Sequence, residues 1–230
     1  MKLGALFSGG KDSCLAIYRA QVSHKVVCLI NLVPRSVESR LFHFPNAWVT
    51  KFQAEAIEIP IIQLETGDEE ERGLADLSRL LKSAVKDFGI EGIVTGVVRS
   101  VYQASRIQRI CDELGLRCLN PLWLKSPEDI LSKVLREGFV AMITGVFAYP
   151  LSERFLGKII TVDLAKELLD LGKKYGFDAA GEGGEIETTV LDGPIFKKRI
   201  EVTDYEISYK HYSGVLLIKG LKLSPKALHF

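Results

Sequence analysis

The chain has 230 residues, enough for one large domain or two small ones with a sizeable buried core and no need of external staples. Its 30 Lys and Arg balance 29 Asp and Glu, which excludes a global field favouring nucleic acid or an anionic membrane. The four cysteines, Cys14, Cys28, Cys111 and Cys118, form no C-x-x-C pair and sit among apolar neighbours, which suits core packing in a reducing cytosol.

The apolar run before Ser8 is too short for a signal peptide or a spanning helix, so a cytoplasmic protein with no membrane partner is expected. Through the first half, short β-type runs alternate with helical patterns, the arrangement of βαβ units in a doubly wound, mainly parallel sheet. Strands are predicted at residues 3–7, 26–33, 61–64 and 92–95. Helices are predicted near 12–21, 48–58, 71–88 and 103–114, the last two stopped by Gly89 and Gly115. Leu74, Leu77, Leu81, Ala84 and Phe88 share one face of the third helix, which should pack on the sheet.

The pattern changes after Asn120-Pro121. Ser126-Pro127-Glu128-Asp129 opens a helix with Pro in its first turn, 139–147 reads as a buried strand, and Leu164, Leu168, Leu171 and Tyr175 mark a helix stopped by Gly176. From Thr188 onward the chain looks all-β, with strands at 199–202, 205–212 and 215–223. A boundary near residue 124 therefore divides a Rossmann-like α/β unit, 1–124, from a smaller α+β unit, 125–230.

The strongest local signal is Ser8-Gly9-Gly10-Lys11-Asp12-Ser13, between a buried strand and a helix. Two glycines let the backbone turn tightly with converging N–H groups, and the helix N-terminus adds partial positive charge, so the segment reads as an anion nest on an exposed loop. Ser8 and Ser13 offer hydroxyls and Lys11 a full charge, and a pyrophosphate fits that cradle. The spacing is not that of the G-x-x-x-x-G-K-[ST] loop. The plainer alternative is a Gly-Gly turn with Asp12 and Ser13 capping a helix. A second signal is Gly181-Glu182-Gly183-Gly184-Glu185-Ile186-Glu187-Thr188, where Glu182, Glu185 and Glu187 crowd carboxylates that repel one another unless they meet a cation. Magnesium on nucleotide phosphates and a cationic substrate both satisfy that need, and a solvated acidic turn is the alternative.

The hexapeptide 8–13 resembles the motif of the PP-loop, or N-type, ATP pyrophosphatases, and that resemblance implies ATP cleavage between the α and β phosphates. Three further segments look like the diphthine ammonia ligase branch. They are Leu41-Phe42-His43-Phe44-Pro45-Asn46 with Gln53-Ala54-Glu55-Ala56-Ile57, then Gly96-Val97-Val98-Arg99-Ser100-Val101-Tyr102-Gln103 running on to Pro121-Leu122-Trp123, and then the acidic motif with Asp192-Gly193-Pro194 behind it. Ile186 departs from the aromatic residue expected there.

The resemblance implies nucleotide contacts from Ser8, Gly9, Gly10, Lys11, Asp12, Ser13, His43 and Gly96, with Asp12 also approaching Mg2+. It implies acceptor contacts from Tyr102, Gln103, Glu182, Gly183, Gly184, Glu185 and Glu187, and catalytic weight on Lys11, Asp12 and Glu185. The implied reaction joins ammonia to diphthine, a modified histidine of translation elongation factor 2, with ATP giving AMP and pyrophosphate. Nucleic acid is not an expected partner, and a homodimer is neither required nor excluded. Two rivals remain open at this stage: a tRNA-thiolating PP-loop enzyme, which would call for paired or persulfide-bearing cysteines, and a nucleotide-binding regulator without turnover.

Overall fold

The computed structural model describes residues 1–34, 46–67 and 69–226. Five parallel strands, β1 (Lys2–Leu6), β2 (Lys25–Pro34), β3 (Ile61–Thr66), β4 (Gly92–Val94) and β5 (Arg117–Leu119), form one sheet in the order β3-β2-β1-β4-β5. Helices α1 (Lys11–Ala20), α2 (Val49–Ile57), α3 (Glu70–Phe88) and α4 (Val101–Glu113) link them. The first two helices share a core with Leu3, Ala5 and Phe7 of one sheet face, whereas α3 and α4 cover Cys28, Ile30 and Ile93 on the other. Helices on both faces of a parallel sheet make the doubly wound arrangement expected from the alternating pattern. The sequence did not reveal β5, a three-residue edge strand that carries an exposed Arg117 and offers too few positions for any period to show.

A reciprocal cap opens α5 (Pro127–Arg136): Ser126 Oγ accepts the Asp129 N–H at 3.0 Å, while the Asp129 carboxylate accepts the Ser126 N–H at 3.4 Å. The helix α6 (Val162–Tyr175) ends where Gly176 takes left-handed backbone, as its sequence requires. Around these helices stands a separate antiparallel sheet of β6 (Val140–Val146), β7 (Ile186–Asp192), β8 (Lys198–Lys210) and β9 (Ser213–Pro225), in the order β7-β6-β9-β8. Where two strands are predicted at 199–202 and 205–212, β8 is one: an irregular register around Asp204 absorbs the break in alternation without ending the ladder.

The two sheets are welded rather than merely tethered. A single apolar cluster joins α1 and α2 to Ile143, Val190 and Leu216 of the antiparallel sheet. Buried amides reinforce the joint: Asn46 donates to the Leu216 carbonyl at 2.9 Å and accepts the Ile218 N–H at 2.8 Å. Gln53, with no exposed surface, donates to the carbonyls of Gly9 and Val190 at 2.8 Å each. Removing such an amide would leave buried polar groups unpartnered, each at about 1–3 kcal/mol.

Candidate active site

The strand order reverses between β1 and β4, and a crevice is expected beyond the carboxyl ends of strands at such a point. A cavity of about 560 Å³ opens there, within the usual range for small-molecule sites. One wall is the loop after β1 with the first turn of α1. A second is the segment 95–107 after β4, and a third is the turn 181–188 entering β7. Leu6, Ile30, Leu74, Leu77 and Ile107 line its apolar part.

Side-chain hydroxyls organise the loop 8–13. Ser8 Oγ accepts the Gly10 N–H at 3.3 Å and donates to Ser13 Oγ at 3.2 Å, and Ser13 also bonds the Gly10 carbonyl at 3.0 Å. Gly9 has a positive φ of 78°, and a side chain on it would run into Gln53. Gly96 serves differently: a Cβ there would stand 2.7 Å from the Ser13 nitrogen, so its absence lets the end of β4 lie directly against the first turn of α1.

Lys11 corrects one expectation. Far from lying on an exposed loop, it is 2% exposed. Its ammonium donates to Asp12 Oδ2 at 2.7 Å and to the carbonyl of Ala180, and its own N–H is accepted by Thr188 Oγ1 at 3.1 Å. Burial of the four-carbon stem is possible because both ends of the charge are met by oxygen. The loop and the acidic turn, far apart in sequence, are thus in direct contact. Asp12 Oδ1 is buried with no hydrogen-bond partner.

The three glutamates have different surroundings. Glu182 Oε1 accepts the N–H groups of Val98, Arg99 and Ser100 at 3.1, 2.7 and 3.1 Å. Glu185 does not line the cavity: its Oε1 accepts the Asp178 N–H at 3.2 Å, and its Oε2 is buried without a partner. Glu187 lines the cavity, and desolvation raises its carboxyl from the ordinary 4.5 to about 8. The register irregularity between Ile143 and Gly145 lies directly opposite Glu187 and Thr188, a device that re-aims side chains near functional sites.

Tyr102 and Gln103 line the cavity from the start of α4, with the Arg106 guanidinium 3.5 Å from the Tyr102 ring centroid. Ser8, Lys11, Asp12, Ser13, Gly96, Gly183 and Gly184 also line it, whereas Gly9 and Gly10 support it from behind. His43 lies outside the described residues. Thr188, which bonds the Lys11 amide, and Gln53, which staples the loop to β7, lie inside the segments that carry the family resemblance. The sequence gives them no role of their own, because their contacts exist only once distant segments meet.

Among the described residues no group of three or more His, Cys, Asp or Glu is disposed to hold a metal ion, and no helix is long and apolar enough to cross a membrane. Cys14, Cys28 and Cys111 are buried and Cys118 partly so, and burial pushes the Cys28 thiol up to about 12.

A doubly wound sheet with an anion-type loop at its switch point, and a carboxyl-bearing turn facing that loop, defines an α/β enzyme of the nucleotide-handling kind. Comparison with known proteins narrows the class. The family model described as diphthamide synthase N-terminal domain matches residues 1–118, and that described as diphthamide synthase C-terminal domain matches residues 126–223. The chain belongs to this family, in which relatives are named as ligases. A mouse protein named diphthine–ammonia ligase is 36% identical over 97% of this chain and 91% of its own length. The human protein of the same name is 35% identical over 97% of this chain and 92% of its own. The fission yeast Schizosaccharomyces pombe protein of that name is 35% identical over 98% of this chain, which spans only 40% of that longer relative. A solved structure described as a predicted subunit of tRNA methyltransferase from Methanocaldococcus jannaschii aligns at a TM-score of 0.42 and 12% identity, covering 84% of this chain and 98% of its own.

Proposed function

We propose that this chain is a cytoplasmic ATP-dependent ligase that adenylates the carboxylate of diphthine on translation elongation factor 2 and amidates it with ammonia, giving diphthamide, AMP and pyrophosphate. The observation that carries this reading is one cavity joining three kinds of wall. An apolar slot suits a purine, the Lys11 loop suits phosphates, and the Glu187 carboxyl suits a cationic acceptor. Membership of the family supports the choice of acceptor. The division near residue 124 into an ATP-binding and an acceptor-binding unit belongs to the same proposal.

The chemistry asks little covalent work of the protein. The acceptor carboxylate attacks the α-phosphorus, the bond to the β-phosphate oxygen breaks, and pyrophosphate departs against Lys11 and the amides of the loop. Phosphate oxygens would replace the hydroxyls of Ser8 and Thr188 as partners of the Gly10 and Lys11 N–H groups. Ammonia then adds to the acyl carbon and AMP leaves. Mg2+ would arrive with the nucleotide, and the unpartnered Oδ1 of Asp12 is the oxygen that fits it, since hard cations take carboxylates and keep several waters. Thiolation is disfavoured because none of the four cysteines lines the cavity: Cys14, Cys28 and Cys111 are buried in apolar clusters, and Cys118, which hydrogen-bonds Cys111, is partly buried.

The test is to supply ATP, ammonium and diphthine-bearing elongation factor 2, then follow pyrophosphate, AMP and the mass of the factor. Stoichiometric amidation with both products is expected. Nucleotide binding without any turnover would make the chain a regulator, and amidation absent in the face of ATP cleavage with another acceptor would move it to a different branch.

A further inference from the structure

The turn 181–184 is tied down at three places, two on the parallel-sheet unit and one beside the antiparallel sheet. At its start, the Ala180 carbonyl accepts the Lys11 ammonium, and at its end the Glu185 carbonyl accepts the Phe147 N–H at 2.8 Å. The turn itself is closed by the Gly184 N–H on the Gly181 carbonyl at 3.0 Å. In the middle, Glu182 reaches across to the parallel-sheet unit, where three consecutive amides converge on its Oε1. Those amides immediately precede α4, so the carboxylate also meets the positive end of that helix.

Glu182 lines the cavity, but its Oε1, which accepts three N–H donors, has little capacity left for a ligand, and withdrawing it would orphan all three donors. We propose that Glu182 is a positioning residue. Its carboxylate latches the turn 181–184 against the segment 98–100 and thereby fixes the acceptor wall of the cavity that leads into Glu187, without itself touching the acceptor. This rests on the ligase reading for its catalytic consequence, although the latch itself is defined by contacts within the protein.

Two variants test it, read by amide exchange, acceptor turnover and ATP affinity. In Glu182→Ala, amide hydrogen exchange at Val98, Arg99 and Ser100 should accelerate by about tenfold or more, as loss of charge-assisted bonds implies. Turnover of the acceptor should fall about tenfold or more while ATP affinity stays within about twofold, because the loop 8–13 keeps its own bonds. Glu182→Gln retains a carbonyl oxygen to accept the three amides, so it should restore most of the protection and most of the turnover. If Glu182→Gln loses acceptor affinity as fully as Glu182→Ala, the carboxylate meets the acceptor's charge directly and the latch is wrong. It is equally wrong if Glu182→Ala leaves exchange at the three amides unchanged. Failure of the ligase reading would appear separately, as a wild-type protein that does not amidate while its exchange pattern still responds to the two variants as described.

Discussion

The loop 8–13 and the turn 181–188 face each other across one cavity, yet they balance local and remote bonds differently. The loop has a frame of its own, in which its hydroxyls bond its own backbone between a strand and a helix, and Gln53, Val190 and Thr188 add remote support. The turn is held almost wholly from outside, by Lys11, the amides of 98–100, Phe147 and Asp178. A segment shaped by local bonds keeps its geometry when its partners move, whereas one shaped by remote bonds transmits any change at those partners. The contact between Lys11 and Ala180 joins the two, so the proposed phosphate side and the proposed acceptor side of the cavity are mechanically linked.

Breaking that link should give the largest effect. Lys11→Ala removes the charge proposed to meet the departing pyrophosphate, and turnover should drop by roughly 10²–10³-fold. Because the side chain is buried, the variant should also lose about 1–3 kcal/mol of stability, from Ala180 and Asp12 oxygens left without their donor. Single-turnover pyrophosphate release together with thermal unfolding separates the two losses. Wild-type release would reduce the loop to a helix cap.

Next in size is Glu187, whose carboxyl is raised to about 8 by desolvation. Its folded value lies above the unfolded one, so between the unfolded value of 4.5 and about 8 the folded state holds a proton that the unfolded state has released. Stability from this group is therefore fully present below 4.5, declines as pH rises to about 8 and is flat above it. Glu187→Gln should abolish that decline and leave the protein more stable at pH 9, by a few kcal/mol at most. Function should move the other way. A cationic acceptor favours the ionised carboxylate, so its KM should fall as pH rises through about 8, and Glu187→Gln should flatten that profile while raising KM about tenfold or more. A pH profile of KM that the substitution leaves untouched would remove Glu187 from the acceptor site.

The contrast between loop and turn also explains what could be read from the chain. Alternation of β-type runs with helices ended by Gly89 and Gly115 announced the parallel sheet, because period and caps are local. The hexapeptide announced the loop for the same reason. By contrast β7 went unnamed as a strand, since its beginning, Ile186-Glu187-Thr188, sits inside a glycine- and glutamate-rich motif that reads as a turn. Nothing in the spacing of Glu182, Glu185 and Glu187 could tell that the first meets backbone amides at the cavity wall, the second turns away to Asp178 and the third enters the cavity desolvated. Those assignments are made by segments more than eighty residues upstream for Glu182, by the bend at 178 for Glu185, and by the bulge in β6 opposite Glu187.

The smallest effect should come from Glu185, although the sequence gives it no less chemistry than its neighbours. Its Oε1 is turned back onto the Asp178 N–H, while its Oε2 is enclosed without a donor. A buried oxygen with no partner is a cost to the folded state, so a neutral amide that keeps one acceptor should be tolerated there. In Glu185→Gln the amide oxygen can still take the Asp178 N–H, and the charge next to the cavity wall is removed without changing the shape of the turn. Acceptor KM and turnover should remain within about threefold of wild type, and unfolding stability within about 1 kcal/mol. Measured beside Glu187→Gln under the same ammonium concentration, the pair isolates which carboxyl the acceptor meets. A loss in Glu185→Gln as deep as that in Glu187→Gln would mean that the turn rearranges on binding and swings Glu185 into the cavity, returning to it the catalytic weight expected from the sequence.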